Sequence, residues 1–271
     1  MPELPEVETT CRGISPHLCG KTVQTVVIRQ PQLRWPIPAA LRRQLPGQRI
    51  DAIRRRGKYL LLHTAAGTLI IHLGMSGSLR IATQADAVEK HDHVDIVFGR
   101  DCILRLRDPR RFGAVLWTRR PPALHRLIRA LGPEPLSEAF DAEHLFSRSR
   151  GRKIAIKPFI MDSKVVVGVG NIYANEALFQ AGIRPGTAAG RISLARYQAL
   201  VAAIKAVLTA AIAAGGTTLR DFTNGEGKPG YFQQQLQIYG RAGEPCTRCG
   251  TRIKMIQQAQ RATYYCTHCQ R

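Results

Sequence analysis

The chain has 271 residues, 44% of them hydrophobic, which allows one large domain but fits two or three smaller ones better. Forty Lys and Arg against nineteen Asp and Glu give a net charge of +21 and a pI near 10.5, and an excess of that size points to a polyanionic partner, since each neutralised phosphate releases counterions. No run reaches the roughly 18 apolar residues of a membrane span, no basic amphipathic helix with an aromatic face suggests a membrane surface, and no secretion signal opens the chain, so no membrane partner and a cytoplasmic location are expected.

The first stretch, "MPELPEVE", is too polar for a buried strand, and Leu4, Val7, Thr10 and Ile14 recur near the helical period, predicting a short helix over residues 3–19. A β-rich region follows. "KTVQTVVIRQ", "YLLLHTAAGTLIIHLGM", "HVDIVFGRDCILRLRD" and "FGAVLWT" alternate or run apolar between turn signals, with "AAGT" and "FGRD" as hairpin turns. Many short strands with local turns predict an antiparallel sandwich or barrel.

Near Leu131 the pattern becomes helical. "SEAFDAEHLFSR" offers Ser137 as an N-cap, and "NIYANEALFQAGI" and "SLARYQALVAAIKAVLTAAIAAGG" read as helices, the last closed by a glycine pair. "VVVGVGNIYANE" leads into a helix start at Asn171, a place where exposed N–H groups suit an anion. A Gly-rich loop, "TNGEGKPGYF", then precedes the C-terminal module.

That module holds four of the seven cysteines as C-x2-C-x16-C-x2-C: Cys246, Cys249, Cys266 and Cys269. Two knuckles of two thiolates complete a tetrahedral zinc site, and with four sulfurs no position is left for water, so the metal is structural. His268 lies inside the second knuckle, but Cys269 fits the spacing better. The intervening "GTRIKMIQQAQRATYY" reads as a hairpin with Arg261 at or just past its turn. An odd cysteine count argues against a disulfide framework, and Cys11, Cys19 and Cys102 default to buried packing.

Taken in order, "MPELPEVE", "GKYLL", "HLGMSGSLR", "DPRRFG", "GVGNIYANE", "GGTTLRDF" and the hairpin with "QRAT" resemble the bacterial formamidopyrimidine-DNA glycosylases of the Fpg/Nei family along essentially the whole chain. The resemblance implies an α+β fold: an N-terminal antiparallel β-sandwich with a leading helix (residues 1–130), a helix-two-turn-helix DNA-binding domain (131–236) and a zinc-binding β-hairpin (237–271). It also implies base-excision repair of oxidised purines by a monomer acting on damaged double-stranded DNA, with one structural Zn2+ and no organic cofactor.

The implied chemistry makes sense of the opening. With Met1 removed, Pro2 presents a secondary amine whose pKa of about 8 leaves part of it neutral near pH 7. Attack on C1′ displaces the base and leaves an iminium with no N–H to lose. That cation acidifies the C2′ proton, so the 3′ phosphate leaves, and a second elimination releases the 5′ phosphate. By the same resemblance Glu3 does acid–base work, Glu6 supports the terminal region, and Lys58 contacts phosphate and assists proton transfer; Gly57 permits close backbone approach. The target base must be extruded, and Met75, Arg110 and Phe112 fill the gap, although composition alone would place Met75 and Phe112 in a core. His91, Arg152, Lys157, Asn171 and Arg261 complete the DNA clamp, Lys157 facing the lesion, with Arg261 also assigned to the catalytic set.

Departures bear on two positions. Gly151 stands where the family often carries lysine, so Arg150, Arg152 or Lys153 would take over that phosphate. The lesion-capping loop carries Arg220 where lysine is common, with Thr223–Glu226 at its tip. Two alternatives stay open at this stage: the sister endonuclease VIII type for oxidised pyrimidines, against which "MPELPE" and a full "DPRRFG" stand, and a non-catalytic zinc-ribbon DNA binder.

Overall fold

A computed structural model of the chain describes residues 2–216 and 236–271. These form two units, one of residues 2–130 with 214–216 and one of residues 131–213 with 236–271.

The first unit opens with helix α1 (Leu4–Leu18). Glu3 caps it, Glu6 adds a second acid to the first turn where the helix dipole favours negative charge, and a proline sits in that turn where its missing N–H costs nothing. Leu4, Val7, Cys11, Ile14 and Leu18 form its buried stripe. Two four-stranded antiparallel sheets follow. The order in one is β1 (Thr25–Ile28), β6 (Asp92–Gly99), β7 (Cys102–Arg107), β5 (Ser78–Ala82). The other runs β2 (Ala52–Arg56), β3 (Tyr59–Thr64), β4 (Gly67–His72), β8 (Ala114–Thr118). A one-turn helix, α2 (Leu41–Gln44), lies between β1 and β2.

Val94, Ile96 and Leu104 from the first sheet join Leu60, Leu62, Leu69, Ile71 and Val115 from the second, with Val7, Ile14 and Leu18 of α1, in one apolar core. This is the sandwich that the alternating runs predict. Cys11 and Cys102 are buried as expected; Cys19, just past α1, is exposed.

In the second unit, α3 (Ala142–Ser149) is capped by Asp141, whose Oδ1 accepts the His144 N–H at 2.7 Å. Ser137, the cap expected from sequence, lies a turn earlier and donates its hydroxyl to the Glu134 carbonyl; the aspartate nearer the apolar run wins. Then come α4 (Ile156–Met161), α5 (Asn171–Gln180) and α6 (Leu194–Ala213), the last ending before Gly215 and Gly216, both at positive φ. Alone among the described helices, α6 has the length and mean hydropathy to cross a membrane, which amends the expectation of no such segment. Its Tyr197, Leu200, Ile204 and Leu208 are buried, and it packs on α3 and α5. The hairpin β9 (Lys254–Gln258) and β10 (Arg261–Tyr265) turns through Ala259 and Gln260, both at positive φ as a two-residue hairpin turn requires.

Candidate functional site

Pro2 and Glu3 are buried at the head of α1. The Glu3 N–H donates to Glu6 Oε2 at 2.8 Å, so Glu6 fixes the backbone that carries both residues. Gly216 sits at φ +85, a conformation that favours glycine, and a Cβ there would come within 3.2 Å of Glu6 Oε1, so the chain passes this carboxylate closely. Further along α1, Glu8 reaches Arg55 of β2 at 2.8 Å, and Arg55 Nη1 donates to the Gly57 carbonyl at 3.0 Å. Burial raises the Glu8 carboxyl, but hydrogen bonds from Arg55 and Arg12 outweigh it and hold the pKa below its ordinary value. Gly57, at φ +58, and Lys58 make the two-residue turn from β2 to β3, so this chain of contacts ties the Lys58 turn to α1.

His72 closes β4 directly before the Met75 loop, and nothing in the sequence around it points to a role. It pairs with Tyr59 across β3 and β4, ring centroids 4.8 Å apart, and its Nδ1 accepts the Gly74 N–H at 3.0 Å. Burial, then the charges of Lys58 and Arg34, lower its pKa to about 4. The ring is therefore neutral with its proton on Nε2, at the meeting point of two cations and the loop that carries Met75.

Met75 and the Arg110–Phe112 pair belong to separate connections, β4 to β5 and β7 to β8, which the fold brings together: a Cβ on Gly74 would lie 2.4 Å from the Phe112 carbonyl carbon. Met75 is 38% and Phe112 45% exposed, so neither is a core residue. The Arg110 guanidinium lies 5.1 Å from the Phe112 ring centre, within cation–π range. His91, half-buried, accepts the Asp108 N–H on its carbonyl at 3.0 Å, beside the same loop.

In the second unit, Asn171 opens α5 behind Gly170. Its Nδ2 donates to the Ala262 carbonyl at 3.1 Å, one helical turn before Asn175 Oδ1 accepts the Tyr264 N–H at 2.8 Å. Two side chains on one helix face thus grip alternate residues of β10. Lys157, expected to face the lesion, is instead 1% exposed: its ammonium donates to the Ala262 carbonyl at 2.8 Å and Thr263 Oγ1 at 2.7 Å. The physical reason is that the β10 backbone beside α4 offers oxygen acceptors that compensate the buried charge. Arg261 emerges exposed at the first residue of β10, immediately past the turn.

Among the basic residues around Gly151, Arg150 is engaged internally, stacked 3.9 Å from the Phe146 ring centre and donating to the Ile192 carbonyl. Arg152 and Lys153 are exposed. Glu176 of α5, missed by the sequence reading, accepts the N–H groups of Gln237, Ile238 and Tyr239. Burial raises its pKa despite those three bonds. It shapes the entry to the cysteine module and orients Tyr239, whose ring meets Tyr264 at 5.1 Å.

The four sulfurs of Cys246, Cys249, Cys266 and Cys269 lie within 4.8 Å of one another, with Cys246–Cys269 at 3.9 Å and Cys249–Cys266 at 3.5 Å. A zinc tetrahedron with Zn–S bonds of about 2.3 Å needs sulfurs about 3.8 Å apart, so the set fits one structural zinc, and His268 is not part of it. Thr223–Glu226 and Arg220 lie outside the described residues.

Comparison with known proteins agrees along the whole chain. Residues 1–115 match the formamidopyrimidine-DNA glycosylase N-terminal domain, residues 131–223 the formamidopyrimidine-DNA glycosylase H2TH domain, and residues 243–271 a zinc finger found in FPG and IleRS. The formamidopyrimidine-DNA glycosylase of Methylococcus capsulatus is 60% identical over 271 residues, all of both chains. A Lactococcus lactis FPG variant in complex with Fapy-dG containing DNA superposes with a TM-score of 0.93 at 34% identity, 99% of each chain being covered. The Lactococcus lactis Fpg in complex with abasic-site DNA gives 0.92 at 35% identity with the same coverage.

Proposed function

The chain belongs to the formamidopyrimidine-DNA glycosylase family, and from that premise we propose that it excises oxidised purines, 8-oxoguanine and formamidopyrimidines, from duplex DNA and then cuts the strand at the resulting abasic site. The carrying observation is the head of α1, where Glu6 anchors the Glu3 N–H and so fixes Pro2 and Glu3 together. In this reading Met1 is removed and the Pro2 nitrogen lone pair attacks C1′. The C1′–base bond breaks with its electron pair leaving on the base, which takes up a proton as the attacking nitrogen gives up its own; Glu3 then protonates the ring oxygen, and the nitrogen lone pair opens the sugar ring to the iminium. The iminium then drains electrons from C2′; that proton is lost, the 3′ phosphate leaves, and a second elimination expels the 5′ phosphate.

Lys58, with Arg34 nearby, supplies positive charge for the target phosphate, and His91, Arg152, Asn171 and Arg261 contribute further contacts. Lys157 contributes indirectly, through its grip on β10. Met75, Arg110 and Phe112 enter the duplex where the damaged nucleotide leaves it. Residues 1–130 act as the catalytic part, 131–236 as the DNA-binding part and 237–271 as the zinc module, in a monomer working on cytoplasmic DNA. The test is borohydride trapping on abasic DNA combined with cleavage of duplexes carrying 8-oxoguanine opposite cytosine or thymine glycol. A covalent adduct and faster purine cleavage are expected. Cleavage of thymine glycol alone would instead assign the endonuclease VIII specificity, and absence of an adduct would leave a DNA binder.

A further inference from the structure

Met75 sits in one loop and Arg110 and Phe112 in another, and a single buried side chain joins them. Asp108 is 0% exposed. Its Oδ1 accepts the Ser76 hydroxyl at 2.9 Å and its Oδ2 accepts the Gly113 N–H at 2.7 Å. The Ser76 oxygen in turn accepts the Arg110 N–H at 3.2 Å. The backbone of Asp108 is equally committed. Its N–H donates to the His91 carbonyl at 3.0 Å, and its carbonyl accepts the Arg111 N–H at 3.1 Å and bonds His93 Nε2 at 2.9 Å.

The surrounding backbone leaves no slack. A Cβ on Gly113 would stand 2.8 Å from the His72 carbonyl oxygen and 2.9 Å from Asp108 Oδ2. Arg111 is held at φ +57, in the left-handed region that a bulky residue enters only when its neighbours require it. Both side-chain partners of Asp108 are neutral donors, one from each loop, so the carboxylate acts as a double acceptor and not as half of an ion pair. An amide of the same shape has only one acceptor oxygen: to keep the Gly113 N–H it must turn its NH2 to the Ser76 oxygen, which replaces a charge-assisted bond with a neutral one and strips the Ser76 hydroxyl proton of its acceptor.

We infer that Asp108 is a positioning residue: through Ser76 and Gly113 it fixes the Met75 loop and the Arg110–Phe112 loop as one rigid wedge, so that the three side chains enter DNA in a set relation. This rests on the role proposed above for Met75, Arg110 and Phe112. A wedge matters most when a stacked base must be extruded and least when the base is already missing, which separates a positioning role from a merely structural one.

The experiment compares single-turnover cleavage of a duplex carrying 8-oxoguanine opposite cytosine with cleavage of the same duplex carrying an abasic site, for Asp108→Asn, Ser76→Ala and the double variant. Loss of wedge register is expected to slow removal of the damaged base by about tenfold to a hundredfold and to affect the abasic substrate far less. The double variant should be no slower than the slower single one, because both changes remove the same hydrogen bond. Equal slowing on both substrates, full multiplication of the single effects, or no slowing at all would overturn the inference. Should Asp108→Asn fail to fold, Ser76→Ala, which deletes one hydroxyl, carries the same comparison. Met75→Ala and Phe112→Ala run alongside. If they fail to discriminate the two substrates, the wedge role itself is wrong and this inference goes with it. If they discriminate while Asp108→Asn and Ser76→Ala do not, only the role of Asp108 is rejected.

Discussion

At the scale of single residues, the proposed mechanism rests on Pro2 and Glu3. Pro2→Gly keeps an amine but makes it primary and unconstrained, and the borohydride adduct on abasic DNA is expected to weaken sharply. Glu3→Gln keeps the shape and removes the proton donor, and base release measured in a single turnover should fall by about 10²–10⁴-fold. His72 gives a pH signature. Its pKa is about 4 in the folded chain against an ordinary value of 6.5, so between those values the unfolded chain binds more protons. Stability therefore rises with pH across this window and is lost as pH falls from about 6.5 towards about 4. Urea midpoints measured across that range should drop for the parent chain and drop less for His72→Gln. This shift does not show in the sequence around His72, because it comes first from burial and then from the charges of Lys58 and Arg34, which only the fold brings alongside.

At the scale of elements, the second unit depends on side chains that serve backbone. Glu176 accepts three N–H groups with two oxygens; Glu176→Gln leaves at least one of them without an acceptor, a loss of about 1–3 kcal/mol that a thermal melt of the zinc-loaded chain would register. Chelating the metal removes the tetrahedron that ties the two knuckles together, so the hairpin signal in near-ultraviolet circular dichroism and the affinity for abasic DNA should fall together and return with added zinc. The elements themselves were largely legible: α1, α5, α6 and the paired strands announce themselves by period, and the cysteine spacing specifies its cluster without help. The short helices α2 and α4 were not, being too brief for a period to show, and the Asp141 cap was hidden by an equally plausible serine four residues earlier. The burial of Lys157 was not legible either, because a lysine in a basic stretch looks like surface until a strand is seen to cover it.

At the scale of the whole molecule, the charge of +21 overstates the DNA footprint. Arg55, Arg80 and Arg105 are paired with Glu8, Asp92 and Asp95, and Arg150 is bound to its own unit. With about six phosphates neutralised, raising salt from about 50 to 200 mM should weaken binding by about a thousandfold; fluorescence anisotropy on undamaged duplex gives the slope, and Arg152→Ala should reduce it by about one unit. Family membership was legible from motif order, whereas the joining of distant loops through Asp108 was not, since nothing in "DPRRFG" says that its aspartate turns inward. Cys19 has a practical consequence of its own. It is exposed just past a 15-residue helix that places it about 22 Å from the Pro2 end, while Cys11 and Cys102 are buried and the other four thiols are committed to metal. A maleimide dye would therefore attach once, well away from the proposed nucleophile, and would make the native chain, without any engineered cysteine, a ready probe for watching single molecules diffuse along stretched DNA.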